Sequence, residues 1–562
     1  MQHHTEEVTP LTVTTGAKKI FQAIYRAQHP ARVKGEEAIG KLHVSDVISK
    51  MAFYYEKIRN AVNYNEEHLL RKDAIERIFK RQLIIENPIK FSKGDSHAAA
   101  KHLLMELIRA GYLPNNTLPE TKVDEIAVVI EKYLTLRRLC TGQAASNFNF
   151  FGGKAQDKKF DSRFDLTNWL IGLAAAEIEQ HIDVDEVSRT IVLLMYDLLE
   201  KRLDLPDSLP YKEDLPIQLY LAIYRRLLKF DDDMLSLILL NYFKGDWSKA
   251  TPQTINQVAK NIGSLRELIN KQLNHPLADQ MVNIISSHTV FFNILKDVVT
   301  EDPVAVYDEF FEDPKAFTRR IKKSCSKRYA NAKTKLWRAA WRSIIYILLT
   351  KSVFAVILEI PASKLFGSAI NPISLTINVV FPALLLFFAV AVTGLPGEEN
   401  TKKIIAGIDE IVFVEKHRDS IIPIRKPLGR RPVFNFIFGV FYAVTFFISF
   451  GLIVWFLETI YFSWVSIIIF LFFLTFVSFF TIRIRRAAKE WIVVESRDSL
   501  ARFLLDFFSM PIIATGKWLS GKFSKINVFI FILDFIIEAP FKIFVDIAEE
   551  WTKYVRERKE HL

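Results

Sequence analysis

Cysteine is almost missing from this chain. Cys140 and Cys325 are the only two in 562 residues, and they lie far apart. A disulfide framework is excluded on that count, and a reducing compartment is the natural setting. The first residues, Met1–Glu7, lack the apolar core of a secretory signal, so no cleaved leader is expected. Nowhere do polar and apolar residues alternate long enough to demand a sheet. Tyr133–Leu139 and Tyr224–Leu228 share a Tyr/Arg-Arg/Leu pattern, but no fixed period joins them into a repeat array.

Catalytic signatures are missing too. No Ser-His-Asp or Cys-His constellation is present, and neither cysteine has a neighbouring motif to activate it. Gly152–Gly153–Lys154 lacks both the spacing and the following Ser/Thr of a phosphate-binding loop. Glu177, His181 and Asp185 recur every four residues, but no HExxH or ExxH pattern accompanies them. They read as a solvated helix face, with Asp183–Asp185 marking a helix end and the next cap. His97 and His102, five apart, align poorly on a helix. Asp231–Asp232–Asp233 reads as an acidic helix start rather than a metal cluster. No cofactor is expected.

Negative charge is missing from one block. Between Arg319 and Arg342 stand ten Lys/Arg and no Asp or Glu, in a chain whose net charge is +11. Four long apolar stretches follow: 343–360, 373–393, 434–457 and 465–482. Crossing ~30 Å of hydrocarbon takes ~20 apolar residues. The last three qualify. The first is marginal, because Lys351 sits mid-stretch and Glu359 near its end. Charge bias settles the count. Lys402, Lys403, Lys416, Arg418, Arg425, Lys426, Arg430 and Arg431 lie between stretches two and three, and Arg483, Arg485, Arg486 and Lys489 follow stretch four. The other two connections are short and nearly free of positive charge. Four spans put every basic segment on one side, with both termini cytoplasmic. Trp455, Tyr461 and Trp464 flank the outer turn, as an interfacial aromatic belt would.

The fold class is therefore all-α. A large cytoplasmic helical domain precedes a four-helix transmembrane bundle, and a C-terminal amphipathic interfacial helical hairpin closes the chain. Apolar residues recur at helical spacing in Val44–Tyr64, Glu66–Leu83, Ser96–Tyr112, Val123–Leu139, Phe164–His181, Val187–Leu203, Leu215–Phe230, Thr254–Leu273 and Met281–Val298. Thr251–Pro252, Asp302–Pro303 and Asp313–Pro314 read as helix starts. Paired glycines in the loop Ser146–Asp161 place a boundary there. The segments are 1–145 and 146–318 (two helical subdomains), 319–342 (a basic juxtamembrane neck), 343–482 (the spans) and 483–562. In the last, polar residues at 534, 538, 542 and 546 keep one stripe of a helix lying in the headgroup region.

Within the neck, Lys322, Lys323, Lys327, Arg328, Trp337 and Trp341 are candidate contacts to anionic lipid headgroups. Aromatics among cations can also stack on bases. Position against the first span favours lipid, so nucleic acid is not the expected partner. Lys351, Glu359 and Asn378 are the intramembrane polar candidates. They could form a polar stripe through the bundle. Alternatively Lys351 snorkels to the interface along its stem. Spans two to four offer it no opposite charge. Pro382 frees the carbonyl of Asn378, which reads as a packing kink. Gly439 and Ala443 make a small-xxx-small step suited to close helix contact.

These readings lead to an integral membrane protein of the cell's inner (plasma) membrane. Its large cytoplasmic domain would bind or scaffold a protein partner at the inner face. Two alternatives stand beside it. One is a transporter or channel component using the polar residues of spans one and two. The other is a membrane-interface enzyme acting on lipid, for which no residues can be named.

Overall fold

The structure is a computed structural model. It describes residues 12–29, 40–44, 66–84, 96–145, 156–183, 185–365, 371–416, 420–426, 432–494 and 500–525, with isolated positions in 53–57 and 547–558. Nearly all of these residues are helical, and two units separate. One comprises 22–285, 420–425 and 529–562; the other comprises 1–21, 286–419 and 426–528.

The first, the helical unit, is built from α2 (Glu67–Ile84), α3 (Ser96–Arg109), α4 (Thr121–Ala145), α5 (Gln156–Ile182), α6 (Glu186–Glu200), α7 (Leu215–Ile223), α8 (Asp232–Lys244), α9 (Pro252–Lys260) and α10 (Ile262–Leu273). Helix α1 (Thr15–Gln28) precedes them. The central element is α5, whose ten residues Leu170–Glu179 are all buried. Their sequence, LIGLAAAEIE, explains why: it is apolar or small all round except for two glutamates. Helices α2, α4 and α8 pack on it. Gly172 is required here, because a Cβ at that position would stand 2.6 Å from the Asp233 carboxylate.

The caps follow the sequence. Thr251 accepts from Thr254 N ahead of Pro252, and Asp185 accepts from Ser188 N at 2.8 Å to open α6. Asp231 accepts from Met234 N at 3.0 Å to open α8, as an acidic helix start should. Two expected helices are subdivided. Thr254–Leu273 breaks at Asn261, where α9 ends and α10 begins. Leu215–Phe230 finishes in a π-turn, Tyr224–Leu228, closed by Lys229 in the left-handed conformation (φ 57°). The boundary expected at 146 lies outside the described residues up to 155. From Gln156 onward the expected loop is already helix. Most of Val44–Tyr64 and the whole 534–546 helix also lie outside the described residues. A two-residue parallel pair, β1 (Leu203–Asp204) with β2 (Ile422–Pro423), ties a short segment from between the second and third spans into this unit.

The second unit holds the bundle. Helix α11 (Ala278–Glu301) leads into it, followed by α12 (Pro303–Glu312), α13 (Pro314–Phe354), a π-turn (Ala355–Glu359) and the short α14 (Ile360–Leu365). Then come α15 (Pro372–Ala391), α16 (Glu398–Val412), α17 (Pro432–Thr459), α18 (Trp464–Ala488) and α19 (Leu500–Lys525). Asp302 and Asp313 cap α12 and α13 ahead of their prolines, accepting from Ala305 N and Lys315 N at 3.0 Å. Four helices are long and apolar enough to cross a membrane, in Lys315–Ala362, Pro372–Ala391, Phe436–Thr459 and Trp464–Arg486. They coincide with the four expected spans.

Neck and first span are one continuous helix. Phe317, Ile321, Cys325, Ala332, Leu336, Ala340 and Ile344 keep one buried stripe along it, while Lys322, Lys327, Lys333 and Lys335 stay exposed. No helix breaker separates the two segments, so the helix runs on. Helices α13, α15 and α18 pack on one another, and α17 joins them through α19, which packs on both α17 and α18. Tyr461 takes a left-handed conformation (φ 60°) in the turn joining α17 to α18.

Two local expectations fail in the bundle. A Cβ at Gly439 would meet nothing within 4 Å, so the Gly439/Ala443 step makes no close helix contact. The close contact is at Gly516 of α19, whose added Cβ would lie 2.1 Å from the Thr475 carbonyl oxygen. Ser449 Oγ of α17 also donates to Phe508 O at 2.9 Å. Ser449 and Thr475 are each near the middle of their helices. Helix α19 is thus seated against the midsections of α17 and α18. The connection between spans two and three, expected as a basic loop, contains α16, whose Ile404, Ile408 and Ile411 are buried.

Candidate functional site: a buried polar cluster among the membrane-length helices

Lys351 sits mid-way along the first span, where a charge on an apolar helix is costly. It does not snorkel. It is 0 % exposed, and its ammonium lies over the Phe473 ring of α18, 4.0 Å from the centroid. Phe473 and the neighbouring helices close off the route that the stem would need to reach an interface. Glu359 and Asn378 are equally buried, at 2 % and 0 %.

The π-turn accounts for the alignment. Eight residues of regular α-helix advance ~800°, which leaves Glu359 about 80° away from the face of Lys351. A π-turn accommodates one extra residue and removes ~100°, bringing the two within about 20°. Its cause is local. Pro361 has no N–H to give to a carbonyl in the preceding turn, and the Ile360 N–H bonds instead to Ala355 O, five residues back. The glutamate thus turns inward towards α15 and α18.

There it meets Asn378. The amide Nδ2 donates to Glu359 Oε1 at 2.5 Å and to the Ser466 carbonyl at 3.3 Å. Both partners are acceptors, which fixes the amide's orientation. The side chain is directed across the bundle, away from the carbonyl that Pro382 frees in its own helix. Three polar atoms remain buried without a hydrogen-bond partner: Lys351 Nζ, Glu359 Oε2 and Asn378 Oδ1. One strong donor and two acceptors therefore face the interior of the bundle unsatisfied. Lys351 and Glu359 do not close to an ion pair. Buried groups of this kind are normally satisfied by a partner.

At the other end of these helices a second buried amide is fully partnered. Asn400, buried at the start of α16, donates to Tyr329 Oη and to Trp491 O, both at 2.8 Å, and accepts from Val493 N at 2.6 Å. Burial raises the Tyr329 hydroxyl's pKa, against the hydrogen bonds from Thr401 and Asn400. Burial likewise pushes the Cys325 thiol up to about 11, which leaves it unreactive. Of the candidate lipid contacts, Arg328 is held by Asp297 at 2.5 Å and stacks on Trp491, and Lys323 lies 3.5 Å from Glu301. Lys322 and Lys327 are exposed. Trp337 packs edge-on against Phe387, and Trp341 is half exposed beside the same ring.

The helical unit carries its own buried charges. Glu177 does not belong to a solvated face. It is buried on α5, accepts from Tyr133 Oη at 2.8 Å and pairs with Lys132, which also donates to Trp247 O at 2.9 Å. Trp247 Nε1 completes the ring by donating to Tyr133 Oη at 3.1 Å. Burial pulls the Lys132 ammonium below its usual range, against the field of Glu177. Arg71 grips Glu179 through two nitrogens and reaches Asp183 at 2.6 Å. Lys72 is shared between Asp231 and Asp233. Every charge in these groups is answered, so they hold the unit together rather than offer a site. His181 lies 3.8 Å from Glu125, and Asp185 serves as a cap, so Glu177, His181 and Asp185 do not converge. Among the described residues no three His, Cys, Asp or Glu side chains gather as a metal site would require.

Sequence reasoning found Lys351, Glu359 and Asn378 but missed Phe473 and Ser466, which face them from α18. Pro361 was the available signal for the turn that aligns them. No protein-family model, curated protein or solved structure matches this chain.

Proposed function

We propose that this chain is a multi-pass membrane protein whose bundle binds and passes a small ion or polar solute at Lys351, Glu359 and Asn378, as a transporter or channel component. The supporting observation is the set of three orphaned polar atoms inside an otherwise apolar bundle. A purely structural bundle gains nothing from a buried lysine and glutamate held apart, since replacing both by apolar residues removes two desolvation costs. In this reading the basic segments lie on the cytoplasmic side of the inner membrane, with both termini there. The test is flux from liposomes holding the full-length protein, across a panel of protons, alkali cations, halides and amino acids. Cluster-dependent flux of one of them is the expected result. No flux of any would refute the reading.

A second reading, presentation of a partner-binding domain at the inner face, draws on the helical unit's bulk and its own continuous core. In that case exposed Lys322 and Lys327, with half-exposed Trp341, would engage anionic headgroups. Changing both lysines to glutamine should then weaken flotation of the protein's cytoplasmic part with phosphatidylserine vesicles, and added salt should do the same. Unchanged flotation would count against it.

A further inference from the structure

We infer that the species handled by this cluster is a proton, held in common by Lys351 and Glu359 and passed between them along the first span. The inference rests on the transport reading above and narrows it to one substrate.

The chemistry of the free atoms selects among ligands. A dehydrated metal cation needs roughly six oxygen ligands. The cluster's unpartnered oxygens are Glu359 Oε2 and Asn378 Oδ1, with the ammonium of Lys351 nearby to repel a cation. An anion would find Lys351 as its one unpartnered donor here and the Glu359 carboxylate opposing it. A proton needs a single acceptor and no coordination shell.

The proton count is also right. With Lys351 as ammonium and Glu359 as carboxylate, the pair holds one proton. With Lys351 as amine and Glu359 as carboxylic acid, it holds the same one. Transfer breaks an N–H bond and forms an O–H bond, and the pair stays neutral overall. Burial penalises both charges, and no ion-pair contact restores the loss, so the two arrangements are drawn together in energy. Asn378 prepares the acceptor. Its amide occupies Glu359 Oε1 and leaves Oε2 to take the proton. The two Cα positions are ~12 Å apart along the helix, and the side chains stop short of an ion pair.

No third titratable group among the described residues competes. Helix α15 contributes none, and α18 contributes none between Trp464 and Ile482. Arg483, Arg485 and Arg486 lie at the far end of α18, and Lys364 stands exposed in α14. On its own helix the preceding titratable groups, Tyr346 and Arg342, are exposed, as are Asp506 and Lys517 of α19.

The test uses the full-length protein in liposomes with an entrapped pH dye and the membrane potential clamped. Wild type should dissipate an imposed pH gradient, and Glu359→Gln and Lys351→Met should each abolish that flux. Independently, dicyclohexylcarbodiimide attacks a protonated carboxyl in an apolar setting. Peptide mapping should find the adduct on Glu359, increasing as pH falls, with the profile displaced in Lys351→Met. Flux of sodium, potassium or a solute that depends on the cluster, without proton movement, overturns the proton assignment and leaves the transport reading standing. Absence of all flux overturns both. A Glu359 adduct that never forms, or whose pH profile ignores Lys351→Met, overturns the shared proton whatever the flux.

Discussion

Replacing Lys351 by methionine should make the protein more stable, and the structure gives the size of the effect. A lysine near the centre of a membrane helix costs ~2.5–3.5 kcal/mol relative to an apolar residue. Its stacking over Phe473 at 4.0 Å returns up to about 2 kcal/mol when desolvated. The net penalty is thus ~1 kcal/mol. Methionine keeps the length of the stem, and its sulfur can rest near the same ring for ~0.3–1.5 kcal/mol. Glu359 loses a nearby positive charge but can become neutral by taking a proton. A net gain of ~1–2 kcal/mol follows, or a rise in melting temperature of roughly 2–6 °C for a unit of this size. Tryptophan-fluorescence melts of the detergent-solubilised protein would measure it. Gain in stability with loss of flux is the signature of a residue kept for function at a cost in stability. A melting temperature lowered by several degrees would refute the reasoning, because it would make Lys351 a structural counter-ion to Glu359.

Three further outcomes follow from other parts of the molecule. Gly516→Ala should destabilise the bundle by about 1–3 kcal/mol, since its Cβ would press on backbone at Thr475. Gly439→Ala, with open space before it, should fall within about 0.5 kcal/mol of wild type; equal effects in the two melts would contradict the packing of α19. In the helical unit, Lys132→Met strands Glu177 and should lower stability by ~3–5 kcal/mol, and the added change Glu177→Leu should recover part of that loss. The last outcome is acid sensitivity centred on His275. This side chain is buried, with Nδ1 accepting from Leu277 N at 3.2 Å and Nε2 3.4 Å from Asp214. Burial lowers its pKa below 6.5, so the unfolded chain binds the proton more readily. Its contribution is therefore complete above about 6.5 and is lost as pH falls towards the folded value. His275→Gln should flatten the acid limb of stability against pH, and an unchanged limb would place the sensitivity elsewhere.

Much of the fold can be read from the residues. Thr251, Asp302 and Asp313 each precede a proline and each cap a helix, because a short acceptor followed by a residue lacking N–H fits only a helix start. The four spans follow from length and apolarity alone. Two of the failures come from partners distant in sequence. Glu177 looks solvated by its spacing to His181 and Asp185, and only the arrival of Lys132, Tyr133 and Trp247 from other helices makes it a core residue. Gly439 has the pattern of a contact residue and faces nothing, whereas Gly516 has no such pattern and lies hard against the Thr475 backbone.

The polar cluster lies between these cases. Its three side chains were legible because a lysine, a glutamate and an asparagine are conspicuous among apolar residues. A polar stripe shared by Lys351 and Glu359 was legible from their two-turn spacing, but its cause was not, since regular helix geometry holds them about 80° apart. A single backbone irregularity, set off by a proline two residues beyond the glutamate, converts separated polar residues into facing ones. It follows that the site depends on Pro361 as much as on the groups that line it. Pro361→Ala would restore an N–H for the preceding turn and allow regular helix through Ala355–Glu359. Glu359 would then swing away from Asn378, and their hydrogen bond would break with every polar residue of the cluster still present. A Pro361→Ala protein that inserts and folds but has lost flux would show that the alignment, and not composition alone, makes the site. Full flux in that variant would mean the π-turn persists without the proline, or that the facing geometry is not needed.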